Sequence, residues 1–290
     1  MKKSAFIYIA LAGLLWGTSV IFVHFLAPIG FSSQQMTAMR GVVSLLALLI
    51  YIFFTYKELF KIKKSYIPFF IGAGITMNLT ATCYYFSMQA SSPSTAVVLM
   101  YSAPVFVMIY SVLFMGEKLT TIKTMSVFFM IVGCGLVSGI IGGLKFSFWG
   151  ILIGFVSGLT YSAYNIITKL EMKKSIHPLT ATFYCYVFMA LSAVLISNPS
   201  EIISITMQNP ALNIPLVIGV GIFTSVLPYF LYTLGLKALP AGTASALGII
   251  EPLAATVYSV IFFSEPLSLA SIIGIVLILG ATVMLSRSEG

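Results

Sequence analysis

Aspartate is absent from this 290-residue chain, and charged residues of every kind make up only 8% of it. A soluble domain carries roughly 25% charged residues. With 59% hydrophobic residues, the chain has too few polar groups to make a water-facing surface. It belongs mostly inside a bilayer, where each helix needs about 20 apolar residues. Cysteine is scarce as well: Cys83, Cys134 and Cys185 each fall in an apolar stretch, with no second Cys or His at metal spacing, and read as small core residues. No HExxH, no Gly-rich phosphate loop and no nucleophile beside a base occurs. These gaps leave direct coupling to ATP without support and give no reason to expect an enzyme, a metal or a cofactor.

What the chain does have is apolar length. Ten apolar segments run near 5–27, 34–56, 66–88, 93–115, 123–141, 148–168, 179–197, 214–236, 240–263 and 267–286. Polar or turn residues separate them, among them Lys57 to Ser65, Ser91-Ser92-Pro93, Gly116 to Thr121, Gly142-Gly143, Lys169 to Pro178 and Asn198 to Asn213. Helices are the form expected, because an open sheet in lipid leaves backbone groups unpaired, and the segments are too long and continuous for barrel strands. The start, Met1-Lys2-Lys3 and an apolar run, resembles a signal peptide. The run lasts to about Pro28 without a small-residue cleavage pattern, so it reads as a retained first span.

The formal net charge of +8 raises the question of nucleic acid. Placement answers it. With the N-terminus inside, the cytoplasmic connections hold Lys57, Lys61, Lys63, Lys64, Lys118, Lys123, Lys169, Lys173, Lys174 and Lys237, and the two ends add Lys2, Lys3 and Arg287. Thirteen of the 15 basic residues are then inside; only Lys145 is outside, and Arg40 lies within the second span. This is the positive-inside pattern. The basic balance marks topology, with both termini cytoplasmic, and nucleic acid is discarded as a partner.

Residues Ala90 to Ser138 return, 148 positions later, as Ala238 to Ser286. Thr95 matches Thr243, Pro104 matches Pro252, Tyr110-Ser111 matches Tyr258-Ser259, and Glu117 matches Glu265. Each half, 1–141 and 148–286, holds five segments. Five is odd, so equivalent helices cross in opposite directions. The expected fold is an all-α membrane protein: ten transmembrane helices in two inverted-topology five-helix repeats. Such repeats place a substrate site between the halves and permit alternating access. Gly150, Gly154 and Gly158 form a small-residue ladder suited to close helix approach. Pro104, Pro252 and Pro228 are expected well inside their helices, where each removes a donor and bends the chain. The symmetric pair Pro104 and Pro252 either pivots a gate or only shapes the bundle.

Glu251 is the sharpest candidate site residue. It sits near the middle of the ninth segment beside Pro252. A charge at the bilayer centre costs roughly 3 kcal/mol on insertion scales, so it faces the bundle interior. It either binds and releases a proton, neutralises a cationic substrate, or packs between helices. Its repeat mate is Ala103, so a site built on it is asymmetric. Arg40 either snorkels outward, pairs structurally, or meets a substrate carboxylate or Glu251. Trp16, Asn78, Tyr84, Tyr85, Tyr101, Tyr161, Tyr164, Asn165, Tyr229 and Tyr232 fall in helices expected to line the centre. They read as helix packing or as a ring cage for an amine or an aromatic metabolite. His24 and His177 have no metal-ligand company, and Glu117 and Glu265 at helix ends suggest a structural cap or gate-edge role.

Trp16-Gly17 in "LAGLLWGTS", Arg40, "SAPVFVMIYSVLFMGEKLT" (Ser102 to Thr120) and its mate "IEPLAATVYSVIFFSEPLS" (Ile250 to Ser268) together resemble the drug/metabolite transporter superfamily, in its ten-helix EamA-type branch. The resemblance covers nearly the whole chain; one departure is Pro266 where the first copy has Lys118. It implies ten helices, cytoplasmic termini and alternating-access movement of small organic solutes, in an integral protein of a bacterial cytoplasmic membrane. Members export amino acids and other metabolites, and relatives carry choline-like cations, drugs or nucleotide sugars. The expectation is a secondary exporter of an amino acid or similar metabolite, with uptake of an organic cation paired with Glu251 as the alternative. The expected partners are the bilayer, the small-molecule substrate and, as a candidate coupling ion, the proton.

Overall fold

The computed structural model describes residues 2–90, 96, 99–137, 147–264 and 268–289. Every regular element among them is helical: α1 (Lys2–Gly17), α2 (Ser19–Ile29), α3 (Ser33–Thr55), α4 (Ile67–Ala90), α5 (Ala103–Phe114), α6 (Thr121–Val137), α7 (Phe148–Lys173), α8 (Pro178–Val194), α9 (Pro199–Gln208), α10 (Pro210–Gly221), α11 (Leu227–Ala238), α12 (Ala241–Leu247), α13 (Ile250–Phe263) and α14 (Leu269–Glu289). Short 3-10 turns follow α3, and a π-turn over Ile222–Val226 joins α10 to α11.

Six helical stretches are long and apolar enough to cross a membrane: Lys3–Ile29, Ser33–Thr55, Lys64–Ser87, Phe148–Lys173, Pro210–Ala238 and Ala241–Phe263. Three of them, Lys3–Ile29, Pro210–Ala238 and Ala241–Phe263, contain the π-turn or a break, so several apolar spans are chains of shorter helices. α8 and α9 pass the same test together but are bent by 92°. Three shorter apolar helices complete the set, Ala103–Phe114, Thr121–Leu136 and Leu269–Leu285. The protein is thus an all-helical integral membrane protein. Its outer faces show large apolar side chains, such as Phe54 at 79% and Leu195 at 86% exposure, which in lipid meet acyl chains.

Helix contacts place the core. α4 packs against α7 and α8, α3 against α8 and α10, and α1 against α11 and α13; α5 meets α7 and α12, and α6 meets α14. Tyr101, Tyr186, Tyr232, Ile9, Leu236 and Leu247 are fully buried where these pairs converge. Small residues allow the approach. Gly154 and Gly158 of the ladder face Leu99 and Ser102, and Ser87 donates to Gly150 O at 2.7 Å. The ladder is a packing device.

Two of the three prolines, Pro104 and Pro252, differ from the expectation of mid-helix kinks. Residues 101–102 form a turn, and Pro104 stands in the first turn of α5. Gly248 and Ile249 form a second turn, and Pro252 stands in the first turn of α13. Pro228 is the second residue of α11. Pro104 and Pro252 begin helices instead of bending them, because first-turn N–H groups have no intrahelical partner to lose. Pro228 lies directly after the π-turn within the continuous stretch Pro210–Ala238, and there it does remove a donor. Two connections also differ. The stretch from Asn198 to Asn213 contains α9 and the start of α10, and α7 continues through Lys169 to Lys173. The expected connections Ser91-Ser92-Pro93 and Gly142-Gly143, together with Lys145, Glu265 and Pro266, lie outside the described residues.

Candidate functional site

The two breaks meet. Tyr101, in the turn before α5, donates its hydroxyl to Glu251 Oε2 at 2.6 Å, and Glu251 stands at the start of α13. Tyr101 is buried and Glu251 half-buried. The break at Gly248 is close-packed: Glu251 N donates back to Gly248 O at 2.9 Å, and a Cβ on Gly248 would sit 3.1 Å from Ser245 O and 3.6 Å from the Tyr161 hydroxyl. α1 passes close by. A Cβ on Gly13 would lie 2.8 Å from Ile250 Cβ and 3.3 Å from Glu251 N. The carboxylate is therefore held between a hydroxyl of the first half and a helix start of the second, in a helix-lined interior.

Rings surround this pair. Trp16 meets Tyr229 edge-on at 4.9 Å and Tyr232 at 5.3 Å between centroids. Tyr164 stacks near Tyr161 at 6.4 Å and meets Tyr229 at 5.7 Å. The Trp16 indole N–H is buried and has no hydrogen-bond acceptor. Tyr232 donates to Asn165 Oδ1, and Asn165 donates to Tyr161 O at 2.9 Å, so these two amide and hydroxyl groups largely satisfy each other. Tyr84, Tyr161 and Tyr229 all lie within electrostatic range of Glu251.

Arg40 does not snorkel. Its Nη2 donates to Thr224 O at 3.0 Å and its Nε to Ser225 Oγ at 2.9 Å, the two buried residues of the π-turn. The reason lies in Pro228, which has no N–H to offer the carbonyl four residues back, that of Thr224. Arg40 supplies the missing donor from α3. Thr224 Oγ1 and Ser44 Oγ donate to Val220 O and Gly221 O, so side chains also meet the carbonyls at the end of α10 that lead into the irregular turn. Arg40 faces Tyr85, Tyr186, Tyr229 and Glu251 electrostatically.

The profile of the EamA-like transporter family matches this chain twice, over residues 3–139 and 148–287. The chain belongs to that family. An uncharacterized transporter of Archaeoglobus fulgidus is 27% identical over 96% of this chain and 95% of its own length. The uncharacterized transporter YwfM of Bacillus subtilis is 24% identical over 97% of this chain and 93% of its own. One solved crystal structure shares the fold, with a TM-score of 0.80 over 100% of this chain and 99% of that one, at 17% identity. The protein is a membrane transporter of the EamA-like, drug/metabolite type.

In this EamA-like protein several sequence candidates stand apart from the Glu251 cluster. Asn78 is buried with its Oδ1 unpartnered, seven residues from Tyr85 and so on the same face of α4. His24 stacks on Phe263 at 4.0 Å. His177 accepts from Leu179 N at the start of α8; partial burial and the nearby Lys237 hold its pKa below the usual imidazole value. Glu117 accepts from Ala241 N at 3.1 Å and so caps α12 from the end of α5, the structural role its position suggested. Its mate Glu265 is outside the described residues. Sequence reasoning passed over Thr224, Ser225 and Tyr186. A Gly-rich and Pro-interrupted apolar segment, Gly219 to Pro228, was the available signal for the first two.

Proposed function

We propose that this protein is a secondary, non-ATP transporter that moves a small organic metabolite by alternating access, with net export of an amino acid or similar metabolite. The halves 1–141 and 148–286 form two inverted five-helix units. The three shorter apolar helices and the bent α8 count as spans, which makes ten with both termini cytoplasmic, in a bacterial cytoplasmic membrane. Glu251 is the central binding group and the candidate proton carrier, and Pro104 and Pro252 start the helices that rock. The chemistry is binding and release, with no bond made or broken by the protein.

One observation carries this reading: the Tyr101 hydroxyl bonds the Glu251 carboxylate where a helix break from each half converges. Discontinuous helices whose ends meet at mid-membrane are the usual construction of a transport site. The rings of Trp16, Tyr161, Tyr164 and Tyr229 around a lone carboxylate favour a second reading, uptake of an organic cation held by cation–π attraction.

Flux decides it. Proteoliposomes preloaded with unlabelled amino acids or with choline should accumulate the matching labelled solute by counterflow, and Glu251→Gln should remove that signal. Counterflow of choline but of no amino acid would select the second reading. Unchanged flux in Glu251→Gln would remove Glu251 from both.

A further inference from the structure

Arg40 and Glu251 are opposite charges in one interior, and every hydrogen bond or ion pair that either makes goes elsewhere: Arg40 to Thr224 and Ser225, Glu251 to Tyr101. They feel each other electrostatically without touching. Tyr229 lies within range of both, and Tyr85 and Tyr84 lie near Arg40 and Glu251 respectively. Arg40 and Glu251 are half-buried residues, as are these three tyrosines, whereas their bonded partners Tyr101, Thr224 and Ser225 are buried. Each charge is thus anchored to a buried partner on a residue that is not itself fully enclosed.

Anchoring does not exhaust either group. A guanidinium has further N–H donors beyond the two that Arg40 spends on the π-turn. The second carboxylate oxygen of Glu251 has no bond. Two opposite charges inside a membrane protein each cost free energy, and direct pairing is the ordinary remedy. Here each head is instead tied to the opposite half of the chain, Arg40 to Thr224 and Ser225 and Glu251 to Tyr101. A ligand bearing a cation and an anion on one short skeleton would neutralise both at once.

We propose that Arg40 and Glu251 are the two poles of a single site for a dipolar ligand, Arg40 taking a carboxylate and Glu251 an ammonium, with Arg40 deciding against simple amines. The assignment rests on the transport reading above and narrows it to α-amino acids over organic cations. It also gives Arg40 two tasks. The same guanidinium that completes the π-turn left open by Pro228 receives the ligand, so ligand binding bears directly on the one irregular turn between α10 and α11. The unpartnered Trp16 N–H beside Tyr229 offers a further donor to an oxygen of the ligand.

The test uses matched trios on the purified full-length protein: phenylalanine, phenethylamine and 3-phenylpropionate, then leucine, isoamylamine and 4-methylvalerate. Binding is read by calorimetry. In the wild type each amino acid should bind about tenfold or more tighter than its amine or its acid, as expected when a hydrogen bond to a charged group is lost. Arg40→Gln should bring the amino acid down to the level of the amine while leaving the amine within about twofold, the limit set by a lost interaction that the amine never made. Glu251→Gln should bring the amino acid down to the level of the acid. Arg40→Lys, which keeps a charge, should retain part of the preference if loss of the π-turn clamp unfolds Arg40→Gln. The selectivity ratio is the decisive quantity, because a merely structural Arg40 would weaken all three ligands alike. The proposal falls if neither amino acid outbinds its own amine and acid, or if Arg40→Gln weakens the amine as much as the amino acid. Flux separates the two readings. Counterflow of amines without discrimination keeps the transporter and overturns the dipolar site, and the expected binding pattern without flux does the reverse.

Discussion

The break at residues 101–102 and the break at residues 248–249 overlap at one position, Tyr101 on Ile249, under the 148-residue spacing, yet they carry different chemistry. Each is a turn followed within a few residues by a proline in the first turn of a helix. Each is braced by a glycine from another helix: Gly158 of α7 presses on Ser102, and Gly13 of α1 presses on Ile250, the residue 148 positions further on. The backbone solution is the same twice. The side chains are not. The first break supplies Tyr101 and Ala103; the second supplies Ile249 and Glu251. Duplication explains the scaffold, and divergence at two positions explains how a hydroxyl and a carboxylate come to face each other across the centre.

The largest effect should come from the chemical difference. Tyr101→Phe removes only the hydroxyl that Glu251 accepts from, a hydrogen bond to a charged group worth about 1.5–3 kcal/mol. Amino-acid counterflow should fall about tenfold or more, since 1.4 kcal/mol is a factor of ten. Ile249→Val, at the counterpart of Tyr101, should leave flux per folded molecule within about twofold, as an Ile→Val change costs roughly 0.5–1.5 kcal/mol of packing alone. Equal losses in the two variants would show that the breaks are chemically equivalent and would sink the asymmetry.

Next come the braces, where the halves should respond alike. A Cβ on Gly158 would lie 2.6 Å from Ser102 Oγ and 2.8 Å from Leu99 O, and one on Gly13 2.8 Å from Ile250 Cβ. Overpacking of this kind costs typically 1–3 kcal/mol. Gly13→Ala and Gly158→Ala should each lower the unfolding temperature in detergent by similar amounts. A loss confined to one of them would mean that only one break is tightly braced.

The sequence was most informative where physics repeats. Apolar runs located helical stretches because lipid forces every backbone group into a helix, and the repeat singled out Pro104 and Pro252, beside which the two breaks lie. The kind of bend was not legible: a proline reads equally as a kink or as a helix start, and only the turns at residues 101–102 and 248–249 decide between them. Glu251, Tyr101, Tyr161, Tyr232, Asn165 and Trp16 could be named because polar groups are rare in such a chain. Their partners could not. That Tyr232 spends its hydroxyl on Asn165, and that Arg40 completes the Thr224 carbonyl, depend on helix rotation and on contacts 67 and 184 residues apart. Asn78 was named on the same grounds as Tyr84 but makes no hydrogen bond to the cluster; its unpartnered oxygen on the Tyr85 face leaves it at the edge of the proposed site.

The smallest effect concerns the caps, and there the halves are bound to differ. Glu117 accepts from Ala241 N, the first residue of α12. A carboxylate at a helix start is stabilising through the free N–H groups and the positive end of the helix dipole. Residue 93, the counterpart of Ala241, is Pro and has no N–H, so Glu265 is denied the same bond by the covalent structure alone. Glu117→Ala should therefore cost about 1 kcal/mol of stability, in the range of a lost helix cap, and Glu265→Ala measurably less. Because Glu117 joins the end of α5 to the start of α12, its loss should also speed exchange of the Ala241 to Leu247 amides with solvent, which hydrogen–deuterium exchange in detergent reads directly. Equal costs for the two glutamates, with no change in α12 protection, would mean that the cap contributes nothing and that the ends of the two units, unlike their centres, are energetically alike.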